Sequence, residues 1–347
     1  MDKINIGIIG TGWCGGIRAD VCADHPLINE LHIAETNEGR LAEVAKATNP
    51  ASANSDYRRL IDNDTIDAVM ISATPENTHY PMTKAALHAG KHVFLEKPLA
   101  ETLDEADELV ALAKERNLKF SIGYSQRFNP KFAFIREKIA DGTLGEPVSA
   151  LVRRHLTRNL GKKIGGRTRL SPAAMEATHD LDFVLWCLQP RKPIRVYAQG
   201  VRKVLSKSVD ADDCMWIVVT MDDGVVFTIG AGWILPPGYP NFSTTWVEFV
   251  GSEGAIMIDD SHKDVQLSTM KGGVQYPMSS MPGERVGHVY AGPMATETEH
   301  FIDAIARDRP VLVTAEQARQ VMEVYIAADI SAERNEPVPL PFNRQPA

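Results

Sequence analysis

The fold is decided near the start of the chain by the stretch Ile4-Asn5-Ile6-Gly7-Ile8-Ile9-Gly10-Thr11-Gly12-Trp13-Cys14-Gly15. Residues 4–9 predict a buried parallel strand, and a helical pattern follows the glycines as far as about Ala23. A GxGxxG sequence between a strand and a helix is the context in which dinucleotides bind. We expect Gly10 to make the tight turn, Gly12 to let the backbone approach a pyrophosphate, and Gly15 to allow close packing of helix on strand.

An acidic residue downstream supports this interpretation. A second apolar strand, 31–34, ends at Glu35, about 20 residues after Gly15, where a carboxylate accepts hydrogen bonds from the adenosine ribose hydroxyls. Thr36 and Asn37 follow, with no adjacent arginine to bind a ribose phosphate. The sequence therefore favours NAD over NADP, although Arg40 on the next helix leaves NADP as the alternative.

The remaining pattern divides the chain into two domains. Strands alternate with helices up to residue 122, which predicts a Rossmann domain (1–122) with a doubly wound parallel sheet. Residues 123–347 instead show long strands with period-two alternation, separated by turn signals such as Asp222-Asp223-Gly224. We expect an α+β domain with a large, mostly antiparallel open sheet, so the fold class is α/β with a second α+β domain.

Composition and charge limit the classes of protein to which the chain can belong. The 347 residues suit two domains, and 44% hydrophobic with 24% charged residues is an ordinary globular composition. A net charge of -8 argues against nucleic acid or an anionic membrane as a partner. The four cysteines lack CxxC and metal-ligand spacing, so we expect reduced thiols and no metal. With no signal peptide pattern and no membrane-spanning run, the cytoplasm is the expected location.

Two further strands end in polar residues and a proline, at 68–75 and at 92–98. Ligands bind at the carboxyl ends of strands in open α/β sheets, so Lys97 lies where chemistry is expected. An ammonium group in a partly desolvated cleft can orient a substrate hydroxyl and shuttle a proton. Together with the glycine-rich turn, these strand ends predict a cofactor site of Gly10, Thr11, Gly12, Trp13, Cys14, Gly15, Glu35, Thr74, Pro75, Asn77, His79, Glu96 and Lys97.

A helix from Ser171-Pro172 to about Leu188 carries a second group of candidates. Glu176, His179 and Asp182 recur at i, i+3 and i+6 and therefore share one face. A lone helical histidine is more often a core residue than a catalyst. Because carboxylates flank this one, we take His179 as a catalytic candidate.

A basic run without interleaved acidic residues precedes that helix: Arg153, Arg154, Arg158, Lys162, Lys163, Arg167 and Arg169. One interpretation is a solvated loop or a subunit contact. The other is a cleft wall that binds a substrate carboxylate or phosphate, with Arg153 as a substrate-binding residue.

The chain resembles the glucose–fructose oxidoreductase and inositol dehydrogenase (GFO/IDH/MocA) family of NAD(P)-dependent oxidoreductases. The resemblance rests on GIIGTGWCGG, ATPENTH (73–79), HVFLEKPLA (92–100), GYSQRFNP (123–130) and THDLDFVLW (178–186). It implies a Rossmann domain and an α/β domain whose open sheet often forms the interface of homodimers or tetramers. It also implies that Lys97 and His179 line the substrate site, and that Tyr124, Arg127 and Asn129 belong to a segment facing the cleft.

One position departs from the family pattern. Many sugar and cyclitol dehydrogenases of this family have aspartate four residues before the histidine, where this chain has Met175. Glu176 comes one residue later and shares the helical face of His179, so we include it among the catalytic candidates.

These features together predict an NAD-dependent dehydrogenase that oxidises a secondary alcohol of a sugar, cyclitol or related polyol. His179 would take the hydroxyl proton, and Lys97 would stabilise the oxygen. Two alternatives remain: a reductase or dihydrodiol dehydrogenase acting on an acidic substrate, and a non-catalytic regulatory protein that senses a dinucleotide.

Overall fold

The computed structural model describes residues 3–239, 243–259, 265–275 and 283–342. Its strands are, in chain order, β1 (Ile4–Ile9), β2 (Ile28–Ala34), β3 (Ser52–Asn54), β4 (Ala68–Ile71), β5 (His92–Leu95), β6 (Phe120–Ile122), β7 (Pro147–Thr157), β8 (Pro193–Val201), β9 (Cys214–Met221), β10 (Val226–Leu235), β11 (Ser243–Gly251), β12 (Ala255–Asp259), β13 (Leu267–Thr269), β14 (Gly273–Gln275), β15 (Arg285–Val286), β16 (Val289–Tyr290) and β17 (Val338–Pro339). Its α-helices are α1 (Trp13–Ala23), α2 (Glu38–Thr48), α3 (Arg58–Ile61), α4 (His79–His88), α5 (Leu103–Glu115), α6 (Pro130–Ala140), α7 (Arg158–Gly165), α8 (Thr178–Leu188), α9 (Pro293–Ala306) and α10 (Ala315–Arg334).

The chain forms two compact units, but it passes between them more than once. The first unit contains Met1–Asn129 and Pro282–Arg319, and the second contains Pro130–Met281 and Gln320–Ala347. The sequence predicts a single division after residue 122. In the structure, the later segment Pro282–Arg319 also belongs to the first unit. The physical reason is apolar packing: the Phe301 ring of α9 meets the Phe94 ring of β5 edge-on, with 5.6 Å between their centroids.

A parallel sheet forms the centre of the first unit. Its strands lie in the order β3-β2-β1-β4-β5-β6, and every pair described in it is parallel. This is the order of a Rossmann sheet, in which the chain reverses direction across the sheet between β1 and β4. The doubly wound fold predicted from the alternating strands and helices is therefore confirmed, and the carboxyl ends of β1, β4 and β5 lie at one edge.

The second unit is built on a mixed sheet with the order β12-β11-β7-β10-β9-β8-β17. Strands β7 and β10 run parallel, whereas the other described neighbours are antiparallel, so the prediction of a mostly antiparallel sheet is confirmed. On one face, Phe183 of α8 makes edge-on ring contacts with Phe132 of α6 and Phe249 of β11. These contacts anchor α8, which carries His179, to the sheet.

The opposite face of this sheet leaves apolar side chains exposed. The strand register aligns Leu151, Val218 and Met257 in one row across the sheet, and these side chains are 37%, 36% and 54% exposed. Trp216 lies on the same face and is also exposed. Within the described part of the chain, no helix is both long and apolar enough to cross a bilayer.

Candidate cofactor and catalytic site

The glycine-rich turn after β1 has the shape that the sequence predicts. Gly10 has a φ of +81, a value that favours glycine, and a Cβ on Gly15 would lie 1.9 Å from the Gly10 carbonyl oxygen. A Cβ on Gly12 would meet no atom within 4 Å, so the backbone there is open to a ligand. The α1 helix begins at the next residue, Trp13, whose side chain is exposed. A helix N-terminus behind an open glycine is suited to a pyrophosphate.

Glu35 follows β2 and is hydrogen-bonded to the glycine-rich turn after β1. Its Oε2 accepts a hydrogen bond from the Thr11 backbone N–H at 2.8 Å, and its Oε1 accepts one from the Asn37 N–H at 2.9 Å. The carboxylate is thus held beside the glycine-rich turn, where it fits the ribose of NAD. Arg40 also reaches the turn, donating from Nε to the Thr11 carbonyl oxygen at 2.6 Å.

The segment after β4 presents Thr74, Pro75 and Asn77 as exposed residues beyond the carboxyl end of the strand. His79 is placed differently, since only 1% of it is exposed. Its Nδ1 lies 2.7 Å from the Pro98 carbonyl oxygen and its Nε2 lies 3.0 Å from the Ala73 carbonyl oxygen. The ring therefore joins the two segments that follow β4 and β5.

Lys97 is the second residue after β5 and is partly exposed, as is Glu96, whereas residues 93–95 and 98–100 are buried. The Glu96 carboxylate accepts a hydrogen bond from Arg18 of α1. Cys14, in the first turn of α1, is also near these charges, and burial raises the pKa of its thiol to about 12. Its side chain is therefore a neutral thiol at physiological pH.

The segment after β6 contains the three residues that the family resemblance places at the cleft. Tyr124 and Arg127 are buried, and Asn129 is partly exposed. The Arg127 Nη1 group donates to the Leu312 carbonyl oxygen at 3.0 Å and to Oε1 of Gln317 at 2.7 Å. These bonds tie Arg127 to the returning segment of the first unit.

In the second unit, a π-helical turn, Ala173–Ala177, precedes α8 in the region where the sequence predicts one continuous helix. Such turns are frequent at functional sites. Within residues 172–185, all of which the structure describes, His179 alone is partly exposed. It is therefore the most accessible side chain of this helical stretch.

Glu176 and Asp180 flank His179 but are turned into the unit. The Glu176 carboxylate accepts a hydrogen bond from Trp233 Nε1 at 2.8 Å and one from Arg154 Nη1 at 3.2 Å. Asp180 accepts one from Arg154 Nε at 3.0 Å. Asp182 is fully buried.

Arg153 and Arg154 lie on opposite faces of β7, because successive side chains of a strand alternate. The register pairs Arg153 with Gly230 and Trp246, and Gly230 with Trp216, on the open face of the sheet. Arg154 reaches Glu176 on the helix-covered face. The structure thus does not bring the predicted substrate residue Arg153 together with His179.

Arg18, which is buried, and Arg154, which is partly exposed, each hold a carboxylate next to a candidate catalytic residue, and the sequence predicts neither role. Alternation along β7 offered a signal for Arg154, since its strand neighbours Val152 and Leu156 predict a buried face. Arg18 lies inside a helix, where nothing in the sequence marks it as buried. Among the described residues, no group of three or more His, Cys, Asp or Glu side chains is arranged to hold a metal ion.

Two known relatives match this chain over almost their whole length. The chain is 27% identical over 335 residues to a UDP-N-acetylglucosamine 3-dehydrogenase of Acidithiobacillus ferrooxidans, covering 96% of this chain and 98% of the relative. It is 26% identical over 349 residues to a myo-inositol 2-dehydrogenase of Thermotoga maritima, covering 97% and 98%.

A solved structure shows the same fold: scyllo-inositol dehydrogenase from Lactobacillus casei with bound NAD(H) and scyllo-inositol. It superposes with a TM-score of 0.82 at 22% identity, covering 97% of this chain and 99% of that one. The oxidoreductase family with an NAD-binding Rossmann fold matches residues 4–124, and its C-terminal α/β domain matches residues 136–340. The chain therefore belongs to the GFO/IDH/MocA family of NAD-dependent oxidoreductases.

Proposed function

We propose that the protein oxidises a secondary alcohol of a cyclitol, sugar or related polyol, with Lys97 and His179 as its catalytic residues. Each of the two is partly exposed within a stretch that is otherwise mostly buried, and this observation carries the proposal. Lys97 lies at the carboxyl end of β5, and His179 lies in the first turn of α8. Ligand-facing polar groups in a buried setting are typical of catalytic sites.

The two side chains have complementary chemistry. The His179 imidazole accepts the proton of the substrate hydroxyl as a general base. The Lys97 ammonium donates a hydrogen bond to a substrate oxygen and stabilises the negative charge that develops on it. When bound, NAD supplies the nicotinamide C4 that accepts the hydride. Glu35 and the N–H groups of the first turn of α1 would hold the ribose and the pyrophosphate.

The proposed substrate class follows from the relatives and from the charges of the site. The names of the relatives denote dehydrogenases of inositol, a polyhydroxylated ring, and of UDP-N-acetylglucosamine, an anionic nucleotide sugar that carries a polyhydroxylated ring. Binding of an acidic group by the 153–169 run is less well supported, because some of its basic residues are already ion-paired within the protein. Arg154 pairs with Glu176 and Asp180, and Arg169 pairs with Asp210.

The proposal is tested by following NADH absorbance while the protein is offered inositols, aldoses, uronic acids and linear polyols, with NAD and separately with NADP. We expect reduction of NAD by a set of neutral cyclic polyols. Preference for uronic acids would favour the acidic-substrate alternative. Tight NAD binding without turnover on any of these compounds would contradict catalysis and favour a dinucleotide sensor.

We also propose that the protein is a homo-oligomer, a dimer or tetramer, formed through the open face of the second unit's sheet. Exposed apolar side chains on one sheet face, including Leu151 and Val218, are typical of an interaction surface. Sedimentation velocity should give a dimer or larger species, and Leu151→Glu should dissociate it. A wild-type monomer at micromolar concentration would contradict the proposal.

A further inference from the structure

A buried ionic cluster lies beside the segment that follows β5. Arg18 of α1 is 1% exposed, and its Nη2 group donates to Oε1 of Glu96 and, at 2.9 Å, to Oε2 of Glu297 on α9. Its Nη1 group donates to the Thr298 hydroxyl at 2.9 Å. The guanidinium carbon lies 4.0 Å from the centroid of the Phe94 ring. The guanidinium is therefore held on its edges by carboxylates and on its face by an aromatic ring.

Charge keeps this cluster together despite its burial. Burial by itself disfavours the charged guanidinium, but Glu96 and Glu297 outweigh that effect and hold the pKa of Arg18 above its ordinary range. The charges of all three residues, and that of Lys97, act on the pKa of Cys14. Lys97 therefore belongs to the same electrostatic environment as the cluster.

Both neighbours of Lys97 in the chain are anchored, although its own side chain is partly exposed. The Glu96 N–H donates to the Ile71 carbonyl oxygen at 2.9 Å, and its carboxylate is held by Arg18. On the other side, the Pro98 carbonyl oxygen lies 2.7 Å from Nδ1 of His79. The backbone at Lys97 is thus fixed from two directions.

Close packing leaves the Glu96 carboxylate little freedom. A Cβ on Gly123 would lie 3.0 Å from its Oε2, so the carboxylate rests directly against the backbone that follows β6. Loss of the Arg18 contact would remove the bonds that hold this carboxylate in place. The neighbouring Lys97 would then be positioned less firmly on the Glu96 side.

We propose that Arg18 is a positioning residue for Lys97, a proposal that rests on the catalytic role proposed above for this lysine. The Arg18 guanidinium bridges the carboxylates of Glu96 and Glu297, fixes Glu96 in place and thereby orients the Lys97 ammonium. Arg18 lies on the helix that begins at the glycine-rich turn, so it links that turn to the segment carrying the lysine. A shift of about 1 Å in a catalytic group lowers turnover by about 100-fold. Arg18 therefore contributes to turnover without touching the substrate.

The test compares Arg18→Lys, Arg18→Met and Glu297→Gln in the full-length protein, on the substrate found with the panel above. We expect kcat to fall about 10- to 100-fold in the Arg18 variants, with KM and the Kd of NAD changing much less. Lysine at position 18 should not rescue turnover, because an ammonium lacks the fork that binds two carboxylates. Glu297→Gln, which keeps Arg18 and Glu96 in contact, should have a smaller effect in the same direction.

A spectroscopic measurement distinguishes a change in the position of Lys97 from a general loss of structure. Lysines are labelled by reductive ¹³C-methylation, and the Lys97 signal is identified by its loss in Lys97→Met. We expect this signal to shift in Arg18→Lys and in Glu297→Gln, and to stay in place in the control Arg319→Met, which breaks an ion pair with Asp107 elsewhere in the first unit.

The outcomes distinguish this proposal from the proposed function. Wild-type kcat in Arg18→Lys, or reduced kcat with an unmoved Lys97 signal, would overturn the positioning role. Full activity of Lys97→Met would overturn the catalytic role of the lysine instead. If Arg18→Met fails to fold, Arg18→Lys and Glu297→Gln still test the positioning role.

Discussion

The indole Nε1 of Trp233 donates a hydrogen bond to Oε1 of Glu176 at 2.8 Å, and both residues are buried in the second unit. Arg154 donates to the other carboxylate oxygen at 3.2 Å. A carboxylate with both oxygens engaged by protein donors is suited to holding the helical segment before His179. Glu176 is thus better placed to support the structure than to exchange a proton with a substrate.

This relationship predicts the effect of Glu176→Gln. The amide keeps an acceptor for Trp233 but loses the ion pair with Arg154, so we expect unfolding to become easier by about 1–3 kcal/mol. We expect kcat to change by less than about tenfold, whereas loss of a general base costs about 100- to 10,000-fold. Denaturant unfolding and steady-state kinetics on the same preparation measure both. A large fall in kcat without loss of stability would restore Glu176 as a catalytic residue.

Glu35 should set the preference for NAD. In Glu35→Gln the charged acceptor beside Thr11 is lost, and charge-assisted hydrogen bonds contribute about 1.5–3 kcal/mol, so we expect NAD to bind about tenfold or more weakly. Because the negative charge that repels a ribose phosphate is also removed, the ratio of NADP to NAD affinity should rise. Titration calorimetry measures both ligands. The exposed Glu38→Gln serves as control, and equal losses in both variants would argue against this role.

Asp329 on α10 should make stability depend on pH. Burial raises its pKa to about 6, with a contribution from Asp212 and an opposing hydrogen bond from Ser171. Since an unfolded aspartate titrates near about 3.9, the folded state holds the proton more tightly, and stability is lost as the pH rises from about 4 to about 6. Asp329→Asn lacks this titration, so its stability relative to wild type should rise across that range, by up to about 3 kcal/mol. Parallel stability curves would contradict the prediction.

The sequence predicts the architecture of the first unit well because its signals are local. Strand periodicity, three glycines and an acid at a fixed distance are all read within short stretches. The structure gives Gly10 a positive φ and places the Glu35 carboxylate beside Thr11. The return of 282–319 to the first unit was not predicted, because it depends on a contact between Phe94 and Phe301, residues far apart in the sequence.

The contacts that support the site residues also cannot be predicted from the sequence. The buried Arg18 is recognisable only once its partners on other elements are in place, whereas alternation along β7 indicates the face of Arg154 but not its carboxylate partners. The π-helical turn before α8 is not predictable from the sequence either, since the apolar pattern of that segment is compatible with an ordinary helix. Charge alone leaves Arg153 open between a cleft wall and a solvated loop or subunit contact, and strand alternation places it on the open face of the sheet.

The most direct test of the account compares Lys97→Met with wild type in two measurements on one preparation: kcat on the polyol that the wild type oxidises best, and the Kd of NAD. Lys97 is proposed to stabilise charge on the reacting oxygen, so we predict a fall in kcat of about 100- to 1000-fold with NAD affinity nearly unchanged. Equal losses in both quantities, or a kcat close to that of the wild type, would contradict the assigned chemistry.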